Sequence, residues 1–184
     1  MKNRFIILIL VIILIVISII LLQKSKNNIT NYTNITKVSV NDSSERVNLK
    51  SQKYPVAIEL VDPNGYLNTE KITISENIGK NIILVDFWTY SCINCQRTIP
   101  YLNSWYEKYK YQGLVIIGVH TPEFDFEKEY NNVQKAVEKY KIKYPVVQDN
   151  DYKTWTAYKN RFWPRKYLID TDGFIVYAHI GEGS

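Results

Sequence analysis

The 184 residues hold only two cysteines, two histidines and one methionine. That scarcity excludes a scaffold stapled by several disulfides. It also leaves a zinc site short of ligands. Only His120 and His179 could join Cys92 and Cys95, and neither is near them in sequence, so no metal is expected. Alanine is absent before Ala57 and glycine before Gly65. No A-x-A-like small-residue cleavage site follows the apolar N-terminus. Strong charge is missing where a polyanion would need it. The net +5 comes from residues 1–54, with eight Lys/Arg against two Asp/Glu, while residues 55–184 carry fifteen against sixteen. The basic excess suits membrane flanks, and no nucleic-acid partner is expected.

Phe5 to Leu22 are apolar except for Ser18. Eighteen residues in a helix span about 27 Å, just short of a hydrocarbon core of ~30 Å. The run is longer than the ~7–15 residues of a signal-peptide core, so residues 1–22 are expected to be an uncleaved signal anchor, a transmembrane helix; a removed signal peptide is the competing reading. Lys2 and Arg4 precede the run and Lys24 and Lys26 follow it, so charge only leans toward a cytoplasmic N-terminus. Of six asparagines between residues 27 and 48, Asn28, Asn31, Asn34 and Asn41 have Ser or Thr two positions on, whereas none of the ten after residue 55 does. This segregation fits a glycan-bearing stalk outside the cytoplasm, and equally a low-complexity linker. The expectation is a single-pass membrane protein whose redox domain, residues 55–184, lies on the extracytoplasmic side behind a flexible polar tether, residues 23–54.

From Pro55 the composition turns to Val, Ile, Tyr, Phe and Trp, with enough chain for one core. Val56 to Val61 and Ile72 to Ile74 read as two short strands forming an extra N-terminal hairpin, with Asp62-Pro-Asn-Gly65 supplying turn residues. Ile82 to Trp88 and Leu114 to His120 read as strands buried on both faces. Residues 92–111 read as a helix with Ile99, Leu102, Trp105, Tyr106 and Tyr109 at helical spacing, ended by Gly113. Asp125 to Lys143 reads as a helix with acids first and lysines last. Tyr144 to Gln148 follows as a strand, Asp151 to Asn160 as a short helix capped by Asp151, and Lys166–Asp170 with Phe174–Ile180 as a closing hairpin. The sum is an α/β fold, a central mixed sheet flanked by helices.

A thiolate, not a thiol, attacks disulfides. Cys92 stands at the expected start of a helix, where free N–H groups and the dipole favour a negative sulfur. Cys95, one turn on, can close a disulfide with it and resolve a mixed disulfide. A structural bond across so short a loop adds little stability, so the pair reads as redox-active. Asp86, inside Ile-Ile-Leu-Val-Asp-Phe-Trp, is either a buried carboxyl of raised pKa that takes the proton of Cys95, or an edge residue reaching solvent. Pro100 is expected to kink a helix that continues past it. Trp163-Pro164 precedes the last hairpin, and a cis bond there would offer backbone to an extended substrate beside Cys92. His120 and Glu123, just past a strand end, are either near the site or in a solvated loop. Trp88, Trp155 and Trp163 either wall the site or fill the core.

The order and spacing of Asp86, Cys92, Cys95, Pro100 and Pro164 resemble the thioredoxin fold. More narrowly, residues 65–183 are similar to TlpA-like thioredoxin (redoxin) domains of the DipZ type. The matching stretches are Gly65-Tyr-Leu-Asn68, Val85-Asp-Phe-Trp-Thr-Tyr-Ser-Cys-Ile-Asn-Cys95, Gly118-Val-His-Thr-Pro-Glu-Phe124, Gln148-Asp-Asn-Asp-Tyr152, Trp163-Pro164, Tyr167-Leu-Ile-Asp170 and Gly181-Glu-Gly183. The resemblance implies a Cys92/Cys95 redox disulfide, a buried acid at Asp86, and a cis peptide at Pro164, with Trp163 and Pro164 binding substrate. It also implies a terminal helix beyond Gly183, which the residues up to Ser184 do not supply, so the expected fold lacks it. The function so implied is a membrane-anchored thiol–disulfide oxidoreductase that reduces protein disulfides, needs no cofactor, and takes electrons from a membrane donor. Two alternatives remain open. Thr89-Tyr-Ser-Cys92 has the T-x-x-C order of peroxiredoxins, although Val85 stands where those peroxidases carry proline. A non-catalytic interaction module of the same fold is the other.

Overall fold

Six of the seven residues from Ile82 to Trp88 are apolar, Asp86 being the exception, and such a run is stable only when both faces of the strand are covered. In the computed structural model, which describes residues 13–24 and 43–182, this segment is the strand at the centre of a six-stranded sheet. The strands are β1 (Gly65–Leu67), β2 (Ile82–Trp88), β3 (Leu114–His120), β4 (Val146–Gln148), β5 (Arg165–Ile169) and β6 (Ile175–Ile180). Their order is β1-β4-β3-β2-β5-β6. β2, β3 and β4 are parallel, and β1, β5 and β6 add antiparallel, so the sheet is mixed. Three helices join them: α1 (Ile93–Tyr109), α2 (Tyr130–Lys139) and α3 (Lys153–Ala157).

Strand alternation sends Leu84 and Trp88 to one face, where Cys95, Ile99 and Leu102 of α1 and Val133 and Val137 of α2 cover them. It sends Ile83, Val85 and Phe87 to the other face, against Leu60, Ile72, Ile74 and Tyr158. Both faces of β2 are therefore covered by apolar side chains, with Asp86 the buried polar exception. α1 runs through Pro100 to Tyr109, then tightens into a 3₁₀ turn, and Gly113 at φ 89° closes it in the left-handed region that a side chain resists. Between α1 and the β5–β6 hairpin the sheet leaves a groove of about 890 Å³, walled by Leu84, Tyr101, Trp105, Leu168 and Tyr177.

The expected N-terminal hairpin does not form. Val56 makes a single bridge to Phe174, and residues 72–74 are not a strand. Glu59 is the reason: its carboxylate accepts from the N–H groups of Ile74 (2.7 Å) and Ser75 (3.0 Å), which satisfies donors that a strand partner would have taken. The apolar side chains of the segment still pack on the core. The helix expected over Asp125–Lys143 is a 3₁₀ turn, Asp125–Lys128, followed by α2, with Glu129 extended between them. Asp151 does not cap α3. Asp149 does so instead, accepting from Thr154 N at 2.9 Å and Trp155 N at 2.8 Å.

The chain divides into two compact units, Met1–Leu49 and Lys50–Ser184. The first is helical at residues 13–24; residues 1–12 of the expected anchor lie outside the described residues, and no described helix is long and apolar enough to cross a membrane. Residues 43–51, expected as tether, are helical. Glu45, Arg46, Leu49 and Lys50 are good helix formers. In the second unit, Lys50 Nζ lies 2.6 Å from both Asp170 and Asp172, so ordered contacts begin ahead of Pro55.

Candidate active site

β2 ends at Trp88, and Thr89 to Ser91 carry the chain to Cys92, the N-cap of α1. The Cys92 sulfur accepts from the N–H of Cys95 at 3.3 Å, filling the place an N-cap oxygen usually takes. Both thiols are free; Cys92 is half-buried and Cys95 fully buried. This contrast separates their chemistry. The Cys95 thiol donates to Cys92, and with the backbone N–H groups of Cys95 and Asn94 it lowers Cys92 to about 7, against burial and the charge of Glu123. Burial pushes Cys95 far up, and its hydrogen bond to Cys92 and the charges on Cys92 and Asp86 push the same way. One sulfur is a nucleophile near neutrality and its neighbour a reservoir for one proton.

Asp86 is buried at 1 % exposure, not at an edge. Burial raises its carboxyl, and the ammonium of Lys166 opposes that without reversing it. Lys166 stands directly opposite Asp86 in the β2–β5 register, with Nζ 3.1 Å from Oδ1. Lys166 was not legible in sequence, because the strand Arg165–Ile169 opens on two cations, Arg165 and Lys166, and nothing marks which of them faces Asp86.

Trp163-Pro164 is cis. Arg165, the next residue, pairs with Phe87, so Pro164 sits at the end of β2 from which the Cys92 loop departs. Trp163 donates its indole N–H to Thr121 O at 3.0 Å and lies 4.2 Å from the Trp155 ring. Trp88 is core, wholly buried.

His120 is fully buried rather than in a solvated loop. Burial lowers it to about 4, so it is neutral at physiological pH. Its Nε2 is 3.4 Å from Thr89 Oγ1, and Tyr90 stacks on its ring at 5.6 Å. Glu127, also missed, binds the loop that carries Cys92. It accepts from Ser91 Oγ (2.6 Å) and Ser91 N (3.3 Å), and from Glu123 N (2.6 Å) and Phe124 N (3.0 Å). Burial would raise this carboxyl, but hydrogen bonds from Ser91, Thr89 and the backbone of Phe124 and Glu123 hold it below its usual value. In sequence Glu127 is only one of several acids near a helix start, and nothing marked it.

The profile of the AhpC/TSA family matches residues 53–178. Protein DipZ of Mycobacterium tuberculosis is 49% identical over 130 residues, which is 69% of this chain and 19% of DipZ. The thiol-disulfide oxidoreductase ResA of Bacillus anthracis is 35% identical over 116 residues, 63% of this chain and 64% of ResA. The match thus spans about a fifth of one relative and just under two thirds of the other. Among solved structures, a thioredoxin-like protein in its oxidized form superposes with a TM-score of 0.66 at 26% identity, over 71% of this chain and 86% of that one. StoA from Bacillus subtilis, at 23% identity and a TM-score of 0.58 over 70% and 92%, shares the fold. The chain belongs to the AhpC/TSA family, and its folded unit is a thioredoxin-like domain akin to those of DipZ and ResA.

Proposed function

We propose that this protein is a thiol–disulfide oxidoreductase that reduces protein disulfides. The observation that carries the proposal is the split between the two sulfurs, Cys92 lowered to about 7 and Cys95 buried and protonated. The Cys92 thiolate attacks one sulfur of a substrate disulfide, and the other leaves as a thiolate that takes its proton from solvent. Cys95 then gives its proton to Asp86 and attacks Cys92 Sγ, breaking the mixed disulfide and releasing the second substrate sulfur as a thiolate. Substrate has gained two electrons, and Cys92–Cys95 is a disulfide. Lys166 keeps part of Asp86 ionised, so a base is present when Cys95 must ionise. Trp163 and Pro164 offer the surface along which an extended substrate segment lies. Names among the relatives, thiol-disulfide oxidoreductase for ResA above all, support this chemistry.

The same reading places residues 1–22 in a membrane and the dithiol outside the cytoplasm, where a membrane electron donor re-reduces it. Its supports are the apolar run Phe5–Leu22 and the confinement of the four N-x-S/T sites to the stalk. Replacing Cys95 with Ala should accumulate a substrate covalently bound to Cys92 that dithiothreitol releases. Insulin reduction that survives Cys92→Ser would overturn the proposal.

Family membership favours a second reading, a thiol peroxidase. Thr89 counts against it, because its hydroxyl engages His120 and Glu127 rather than Cys92. Peroxide consumption far faster than disulfide reduction would favour the peroxidase.

A further inference from the structure

Behind Cys95, on the face of the sheet that α1 covers, lies a seam of polar atoms in an otherwise apolar layer. Trp88 Nε1 and Tyr144 OH are buried there with no hydrogen-bond partner among the described residues, beside Asp86, whose Oδ1 meets Lys166 Nζ at 3.1 Å, and each of the three residues is at most 1 % exposed. Strand geometry explains why they meet. Asp86 and Trp88 are two apart on β2 and so share a face. Gly118 pairs with Asp86 on one side and Val146 on the other, and Tyr144 precedes Val146 by two. A Cβ at Gly118 would lie 2.9 Å from Trp88 Nε1 and 3.2 Å from Tyr144 Cε2. The glycine therefore opens a gap into which an indole N–H and a tyrosine ring reach from opposite strands, beside a carboxylate. Indole can only donate, a phenol can donate, and an ionised carboxylate only accepts, so the groups are complementary. The hydroxyl of Tyr144 is pushed up first by burial and then by the charges of Asp86 and Cys95, which puts it within electrostatic reach of both.

We propose that Tyr144 is a positioning residue for the resolving step, its hydroxyl donating with the Trp88 indole N–H to the Asp86 carboxylate across the Gly118 gap through a bridging water. The proposal rests on the oxidoreductase reading above. In that step the Cys95 proton passes to Asp86, the Cys95 sulfur bonds to Cys92 Sγ, the Cys92–substrate bond breaks, and the substrate sulfur leaves as a thiolate. Donors that hold the ionised carboxylate keep its pKa down and aim it at Cys95. The titratable groups that act with Asp86 are Lys166 from β5, Cys95 from the head of α1 and Tyr144, with Cys92 reached through Cys95, and His120, on which Glu127 acts, lies farther along β3. His120 titrates near 4, and Cys92 carries no proton once it is in a mixed disulfide, so neither obscures Asp86 at that stage.

The test uses the reduced full-length protein and 5,5′-dithiobis(2-nitrobenzoate). The first release of coloured thiolate reports attack by Cys92, and the second reports resolution by Cys95. In Tyr144→Phe, which keeps the ring, the second phase should slow at least tenfold at pH 7 and its pH midpoint should move upward, with the first phase as internal reference. In an Asp86→Asn background the same change should add nothing. A second-phase profile that superimposes on the parent's overturns the proposal. A parent protein with no second phase overturns the oxidoreductase reading instead. A further measurement needs no variant: the Trp88 indole N–H resonance of the unmutated protein should titrate with Asp86, and a flat shift also overturns the proposal.

Discussion

Cys92 and Cys95 are one helical turn apart and face opposite environments. Cys92 meets N–H groups at the head of α1, whereas Cys95 meets apolar side chains and the carboxyl of Asp86. Since only the thiolate attacks, the rate of Cys92 alkylation should rise with pH through about 7 and flatten above it. Iodoacetamide labelling across that range, read by mass spectrometry, checks this. The hydrogen bond from the Cys95 thiol does most to hold the value down, so Cys95→Ala should move the midpoint upward while it traps substrate. Asp86→Asn removes the proton acceptor. It should slow resolution of the mixed disulfide about 10²-fold or more, with initial attack far less affected, as stopped-flow thiol release will report.

Single elements carry the supports of this site. The β2–β5 register sets Lys166 against Asp86, and both are buried. Asp86 has a folded pKa above its unfolded one, so its ionisation costs stability as pH rises past the unfolded value. Lys166 offsets part of that cost. Lys166→Met should therefore lose about 3–5 kcal/mol at pH 8, where Asp86 is left charged and alone, and much less at pH 5, where it takes up a proton. Urea denaturation at both pH values measures the difference. The loop before α1 depends on Glu127 in the opposite sense. Its carboxyl is held below its usual value, so the stabilisation is present at neutral pH and fades as pH falls through the folded value. Glu127→Ala should cost about 1–3 kcal/mol at pH 7, with parent and variant converging in acid.

At the scale of the molecule, the proposal of a tethered redox domain makes a prediction about location. Arginines at Leu10 and Ile17 would each cost about 2.5–3.5 kcal/mol at the centre of a spanning helix. That double variant should move from the membrane pellet to the soluble fraction on cell fractionation, with the Cys92 titration unchanged. Most of the fold was legible from the chain. β2 and β3 fall where continuous apolar runs end, and α1 where a 3.6-residue period begins. The N-terminal hairpin was not legible. Val56–Val61 is apolar except for Glu59, and an extended coil packs Leu60 on the core as well as a strand does once Glu59 caps the donors of Ile74 and Ser75. The Asp149 cap escaped notice because Tyr152, at φ 58°, turns the chain back so that a more distant acid reaches the helix.

The dithiol, its helix-head position and the acid at Asp86 were all decided within about ten consecutive residues, because strand, turn and helix start are local events governed by backbone propensity and hydrophobic period. What makes Cys95 a proton reservoir and Asp86 a base was decided by tertiary structure alone. Lys166, Glu127, Gly118 and Tyr144 reach the site through strand register and loop closure, and the low dielectric that shifts these groups exists only once both faces of β2 are covered.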